Sequence, residues 1–264
     1  MRHALNRWHG VARRLAIGVV LGLTGCTPDT KPDPELPAVS TPDKVDDAHA
    51  ALVEGPRELA IVEADDPTKG ATEPLVVIVE YSDFQCPHCG RFAEALDELL
   101  AAYPDDVRIA FKQFPLPMHP DAELGARATL AARAQGKFWA MHDRLFANRT
   151  KMARADVVGY AKDLSLDVAA FEQALDDGST GARVASDKRA GSVIGVRGTP
   201  SFFVNGRPYS GVLPPDALQA VVEQERALGQ RLVEAGSTRA AVYGRIMRAT
   251  AKAAGAAGPT VPPQ

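Results

Sequence analysis

Between residues 75 and 111 the apolar positions change their period twice. Leu75 to Val79 is an unbroken, largely β-branched apolar run, the pattern of a strand buried on both faces. Phe92, Leu96, Leu99, Leu100 and Tyr103 then recur at helical spacing. Pro87 stands where the first residue of a helix needs no N–H, and Pro104 where the helix stops. Val107, Ile109 and Phe111 alternate with Arg108, Ala110 and Lys112, which predicts a second strand. Strand, helix and strand in that order predict a parallel pair joined by a right-handed crossover. Leu59 to Glu63 is expected to form a further short strand, followed by a turn-rich stretch from Asp65 to Pro74.

From Met118 to about Val193 the periodicity is helical only. Helices are expected at 121–134, 137–147, 154–163, 167–177 and 180–192, with Asp167 as an N-cap and Gly178 as a stop. Phe138, Trp139, Leu145 and Phe146 are expected in the core of this block. Ser201 to Val204 then predicts a strand, and Asn205-Gly206 is a strong hairpin signal with a partner strand around Pro208 to Ser210. Asp216 to Leu228 predicts a closing amphipathic helix carrying Leu218, Val221 and Val222. Residues 237–254 predict one more, alanine-rich helix, and Gly255 to Gln264 an unstructured end. No internal repeat is present. The fold class is α/β: a β–α–β half, a helical block, then a β-hairpin and a helix.

The first residues follow a different logic. Arg2, Arg7, Arg13 and Arg14 precede the apolar run Leu15 to Leu23 with no acid among residues 1–25. That run is too short to span a bilayer and suits a signal peptide. It ends in Leu23-Thr24-Gly25-Cys26, which resembles the lipobox of bacterial lipoproteins. The resemblance implies cleavage before Cys26 and lipid on its sulfur. The Arg13-Arg14 pair lacks the surroundings of a twin-arginine signal. Residues 26–56 are expected to be a disordered, lipid-anchored linker, with prolines at 28, 32, 34, 37 and 42. Removing residues 1–25 takes away four of the 30 basic residues and none of the 33 acids. The mature chain is therefore acidic, and nothing in it marks a nucleic-acid binder.

Three cysteines less one lipidated leaves Cys86 and Cys89, spaced Cys-x-x-Cys. An exported chain with only this pair has no disulfide framework, so the pair is redox-active, metal-binding or incidental. Tetrahedral zinc takes four ligands, and no second Cys-x-x-Cys or His-x-x-x-His accompanies it. No metal and no cofactor are expected. Cys86 precedes the first turn of the predicted helix, where free N–H groups and the dipole favour a thiolate, the attacking species of disulfide exchange. The dipole alone contributes at most ~2 kcal/mol, about 1.5 in pKa. Anything larger needs hydrogen bonds to the sulfur and help from His88. Cys89, one turn further in, is expected to be more buried.

Phe84-Gln85-Cys86-Pro87-His88-Cys89 after an apolar strand, with Gly198-Thr199-Pro200-Ser201-Phe202-Phe203-Val204-Asn205-Gly206 downstream, resembles the DsbA-like thiol–disulfide oxidoreductases of the thioredoxin superfamily. The resemblance covers residues 57–228. It implies a thioredoxin fold with a helical insertion at about 118–193, leaving 229–264 as a C-terminal helix and tail. It further implies a Cys86–Cys89 disulfide with Cys86 as nucleophile and Cys89 as resolving thiol. Glu80 matches a buried acid that exchanges protons with the inner cysteine. Thr199-Pro200 matches a cis-proline loop that packs against the pair and offers backbone groups to an extended substrate. His119 and His142 are given no role.

The expected function is dithiol oxidation of exported proteins that contain cysteine, with a membrane redox partner resetting the pair on the periplasmic side. A reductase or isomerase uses the same chemistry, although residues 49–74 are too short for an isomerase's dimerisation domain. A non-redox chaperone would have lost the pair, and a peroxide-reducing enzyme would not need Cys-x-x-Cys. The lipobox carries its own test. Intact-mass analysis of the mature protein is expected to show an N-terminal, lipid-modified Cys26, and Cys26→Ser is expected to release the protein from membranes. An unmodified Cys26, or cleavage elsewhere, would overturn that expectation.

Overall fold

The structure, a computed structural model, describes residues 49–257. The expected signal segment, Cys26, most of the linker and the last seven residues lie outside the described residues. The described chain forms β1 (Thr68–Gly70), β2 (Val76–Ser82), α1 (Pro87–Ala102) and β3 (Val107–Gln113). Five helices follow: α2 (Ala122–Arg133), α3 (Phe138–Ala147), α4 (Arg154–Asp163), α5 (Val168–Asp176) and α6 (Ser179–Val193). The chain then closes with β4 (Ser201–Val204), β5 (Arg207–Ser210), α7 (Pro215–Glu234), a single 3-10 turn at Arg239–Ala241, and α8 (Val242–Ala257).

The β-branched run does what its composition requires. Every residue of β2 is buried, and the strand lies at the centre of a five-stranded sheet of order β1-β3-β2-β4-β5. It pairs parallel with β3, from Val76 opposite Val107 to Ser82 opposite Gln113, and antiparallel with β4. The alternation along β2 sorts its side chains to two faces. Val76 and Ile78 join Phe92, Leu96 and Leu99 of α1, together with Leu218, Val222, Leu228 and Leu232 of α7. Val77, Val79 and Tyr81 face the other way, with Phe114, Val196 and Phe203. There Gly191 of α6 lets the helix lie on Tyr81, since a Cβ at that position would stand 2.7 Å from the ring. The insertion has its own core, including Phe138, Met141, Leu145, Val157, Phe171 and Leu175. This is the α/β architecture of a thioredoxin fold with helices inserted between its halves. Asp167 caps α5, accepting the Ala170 N–H at 3.0 Å.

Several expectations are corrected. Residues 59–63 form no strand; the short edge strand is β1, inside the stretch read as turns, and it pairs antiparallel with β3. Leu59 and Ile61 are exposed, whereas Ala60 is buried, so the segment lies along the surface without a ladder. Lys112 does not face solvent. Its ammonium is buried against Asp66 at 2.8 Å and Glu63 at 3.1 Å, a charge pairing that strand alternation cannot show. The closing helix runs past Leu228 to Glu234 because Leu232 continues its buried face. The linker expected to reach residue 56 is already anchored at His49, which is buried beside Ser237 (3.2 Å) and Arg245 (3.0 Å). The helix expected at 237–254 begins later, at Val242, and continues to Ala257.

The hairpin turn carries more than its sequence signal promised. Asn205 and Gly206 both have positive φ, as a two-residue turn of this class requires. The buried Asn205 amide also extends the sheet, accepting from Val77 N–H at 2.9 Å and donating to the Leu75 carbonyl at 3.1 Å. Next to this turn the entering chain is locked by an ion pair. Arg57 meets Glu225 of α7 through two hydrogen bonds of 2.9 Å, and both side chains are at most 2% exposed. Arg207 donates to the same carboxylate at 2.6 Å. Removing one partner of such a pair leaves buried charge uncompensated. Glu225→Ala is therefore expected to lower stability by about 3–5 kcal/mol, read as a lower urea midpoint at unchanged slope. A change below about 1 kcal/mol would mean that the pair behaves as a surface one.

Candidate active site

β2 ends at Ser82, and four residues later the chain enters α1. Phe84 fixes this turn by burying its ring against Phe111, with centroids 5.4 Å apart. Asp83 holds the backbone, its carboxylate accepting the N–H of Gln85 at 2.7 Å and of Cys86 at 3.2 Å. Cys86 is left in extended geometry at the N-cap of α1, with Pro87 at the first helical position. The next two N–H groups of the helix belong to His88 and Cys89, and neither can find an acceptor within the helix.

Both cysteines are free thiols and buried, and their environments drive them apart. The Cys86 thiol is lowered from 9.0 to about 5, first by a hydrogen bond from the Cys89 thiol, with burial opposing. The backbone N–H groups of Cys89 and His88 and the hydroxyl of Thr199 add to the lowering. This exceeds the ~1.5 that a helix dipole supplies, so direct donors to the sulfur decide the outcome. Cys89 moves the other way. Its burial and its role as donor to Cys86 push it well above the ordinary thiol range.

The Thr199–Pro200 bond is cis, as the resemblance implies. The Thr199 carbonyl accepts the Cys86 thiol at 3.4 Å, so the loop before β4 packs on the Cys86 sulfur. Glu80 is buried on β2, on the same face as Ile78, and burial pushes its carboxyl up to about 7. Ser82 stands one alternation further along that face. Its hydroxyl favours the charged forms of both Glu80 and Cys89, which links the acid to the inner thiol. Glu80 Oε1, Ser82 Oγ and Thr199 Oγ1 are all buried without a full hydrogen bond. Buried polar atoms left so are unusual outside functional sites.

The structure thus brings Cys86, Pro87, Cys89, Thr199 and Pro200 into one site, with Glu80 beneath it. His88 is arranged differently from expectation. Its imidazole is exposed and its Nδ1 accepts from Arg91 at 2.7 Å, while the group that favours the Cys86 thiolate is its backbone N–H. Four neighbours were given no role by the sequence reading. Arg149, two residues after α3, donates to the Pro87 carbonyl at 3.2 Å. Asp83, Gln85 and His119 join the turn to the loop after β3. Only Asp83 and Gln85 adjoin the motif, so only they carried a signal; the other two are brought in by the fold. His142 is buried among Phe84, Phe111 and Trp139 and belongs to the insertion core.

Comparisons with known proteins agree with this geometry. The sequence profile of the thioredoxin family matches residues 63–224. Among solved structures, a thioredoxin-like oxidoreductase from Silicibacter pomeroyi DSS-3 superposes with a TM-score of 0.59 at 29% identity, over 66% of this chain and 99% of that one. The thiol–disulfide exchange protein alpha-DsbA2 from Wolbachia pipientis shares the fold at 16% identity and a TM-score of 0.57, over 68% and 96% of the two chains. Two relatives carry the name Na(+)/H(+) antiporter NhaA. One, from Salinispora tropica, is 41% identical over 65% of this chain and 26% of its own length; the other, from Salinispora arenicola, is 38% identical over 87% and 35%. The chain thus spans about a third or less of those longer proteins, whose name describes the whole of each. With the profile covering more than half of its residues and the cysteine pair seated at the head of α1, the chain belongs to the thioredoxin family.

Proposed function

We propose that the protein is a dithiol oxidase that introduces disulfides into exported proteins, held to a bacterial membrane through lipid on Cys26 and facing the periplasm. The observation that carries the direction is the lowered Cys86 thiol beside a raised Cys89. In the oxidising cycle a client thiolate attacks Cys86 Sγ of the Cys86–Cys89 disulfide. The S–S bond breaks, a client–Cys86 mixed disulfide forms, and Cys89 leaves with the electron pair and takes a proton. Glu80, protonated below about 7, is the group placed to supply that proton through Ser82. A second client thiolate then attacks the client's own sulfur, and Cys86 departs as a thiolate. A thiol of low pKa is the better leaving group, so the lowered Cys86 speeds this release. Two electrons pass from client to protein, and a membrane redox partner of the disulfide or quinone class removes them.

An oxidising couple and a more stable reduced form are one free energy seen from two sides. The folded, reduced chain holds Cys86 at about 5, against 9.0 ordinarily. For a lowered group the stabilisation is complete above the unfolded value and fades as pH falls through the folded one. It is thus partial at neutral pH and disappears below about 5. The oxidised form has no thiolate, and its disulfide closes a loop too short to restrain the unfolded chain much. Glu80 has the opposite sign, since stability from its raised carboxyl is lost as pH rises through about 7. Urea melts from pH 5 to 9 are expected to show the reduced form more stable, by a margin that shrinks in acid. An oxidised form more stable throughout would make a reductase the better account.

The assignment of roles has its own experiment. Cys89→Ala is expected to trap mixed disulfides with cysteine-containing clients through Cys86, resolved by non-reducing gels, whereas Cys86→Ala traps few. The reverse pattern would exchange the roles of nucleophile and resolving thiol.

A further inference from the structure

Asp83 does more than its position in a turn requires. Its carboxylate is fully buried, with 0% of the side chain exposed. One oxygen takes the N–H groups of Gln85 and Cys86 at 2.7 and 3.2 Å. That half is an ordinary local cap, in which an aspartate bonds the backbone just after it. The other oxygen takes the N–H of Leu116 at 2.8 Å and Nδ1 of His119 at 2.8 Å, both more than thirty residues further along the chain. Four donors fill the lone pairs a carboxylate offers. Gln85 grips the same loop from the next position but one. Its amide oxygen accepts the Asp121 N–H at 2.7 Å, and its amide nitrogen reaches the Asp121 carboxylate at 3.4 Å.

The gripped loop, residues 114–121, borders the site. Leu116 packs into the cluster that holds Val196 and Ile194, just ahead of Thr199 and Pro200. Two residues further on, Met118 is 69% exposed, a large and adaptable apolar side chain at the loop's tip. One carboxylate therefore bonds both the backbone of Cys86 and the loop that carries the exposed Met118. A cap alone would need only the first oxygen, and a loop staple alone would not touch Cys86.

We infer that Asp83 is a positioning residue that fixes the 114–121 loop relative to the Cys86 sulfur, making that loop a wall of the client site. This rests on the proposed dithiol-oxidase reading. A protein client bears on the loop and on the sulfur together, whereas a tripeptide thiol needs little beyond the sulfur. Misplacing the loop therefore penalises the protein client more.

The test compares two thiols against the oxidised full-length protein: reduced, unfolded ribonuclease A and glutathione. Asp83→Asn keeps an acceptor oxygen for the turn but presents an amide N–H₂ group to the donors of the loop. It is expected to lower the ribonuclease-to-glutathione ratio of second-order rate constants roughly tenfold or more, in line with the effect of small misplacements on rate. His119→Ala removes one loop bond from a partly exposed side chain and is expected to lower the ratio less. Equal loss of both rates would assign Asp83 a merely structural role, and an unchanged ratio in both variants would overturn the inference. If Asp83→Asn does not fold, His119→Ala and Gln85→Ala decide it by the same ratio. Failure of the wild-type protein to oxidise either thiol would instead sink the oxidase reading itself.

Discussion

The site depends on a helix that begins without an acceptor for its first free N–H groups. Pro87 at the first helical position has no N–H, so the orphan donors are those of His88 and Cys89. In most helices a serine, threonine or aspartate at the N-cap would take them. Here the cap is Cys86, and a neutral thiol is a poor acceptor. Losing its proton turns the sulfur into the cap that the helix lacks. The thiolate is thus stabilised by a structural vacancy that is filled only when Cys86 ionises. Asp83 contributes by engaging the Cys86 N–H from the other side and holding the residue in the extended geometry an N-cap needs.

A sulfur–sulfur hydrogen bond, together with burial, then separates two chemically identical side chains. Its donor, Cys89, is made harder to ionise, and its acceptor, Cys86, easier. Burial acts against ionisation of both; at Cys89 it is the largest cause and outweighs Ser82, Thr199 and the Asp83 backbone, whereas at Cys86 the Cys89 thiol, the backbone N–H groups of Cys89 and His88 and the Thr199 hydroxyl outweigh it. Beneath the pair, no cation among the described residues contacts Glu80, and burial pushes its carboxyl up to about 7. A carboxyl that titrates around neutral pH therefore lies one alternation along the strand from Ser82, whose hydroxyl acts on Glu80 and Cys89 alike.

How much of this could be read from the chain depended on whether the signal was local. The β2 run, the helical spacing of Phe92, Leu96 and Leu99, and the Asn205-Gly206 turn each report their own conformation, and the structure agrees with all three. β1 was missed because a three-residue edge strand gains its pairing from β3 and has no hydrophobic run of its own. Lys112 occupies a position where alternation points a charge to solvent, but the acids that neutralise it come from residues 63, 66 and 187. Arg57 meets Glu225 across 168 positions, and neither residue carries a pattern that announces the other. His88 is the instructive case within the motif. Its residue type drew attention to the imidazole, whereas the contribution that reaches the sulfur comes from the backbone and would be available to most residues at that position.

Three groups, each centred on a buried carboxylate, share one arrangement. Arg57, Glu225 and Arg207 tie the entering segment to α7 and β5. Lys112, Asp66, Arg183 and Asp187 tie the segment before β1 and the last insertion helix to β3. Asp83 and His119 tie the loop after β3 to the turn before α1. Apolar packing is non-directional and tolerates sliding, but a buried charge that loses its partner costs several kcal/mol. Each group therefore penalises slippage of an excursion relative to the sheet, which the apolar clusters alone would resist only weakly. Of the three, only the Asp83 group bonds the backbone of a cysteine. The device that elsewhere ties an excursion to the sheet is there joined to the backbone of Cys86.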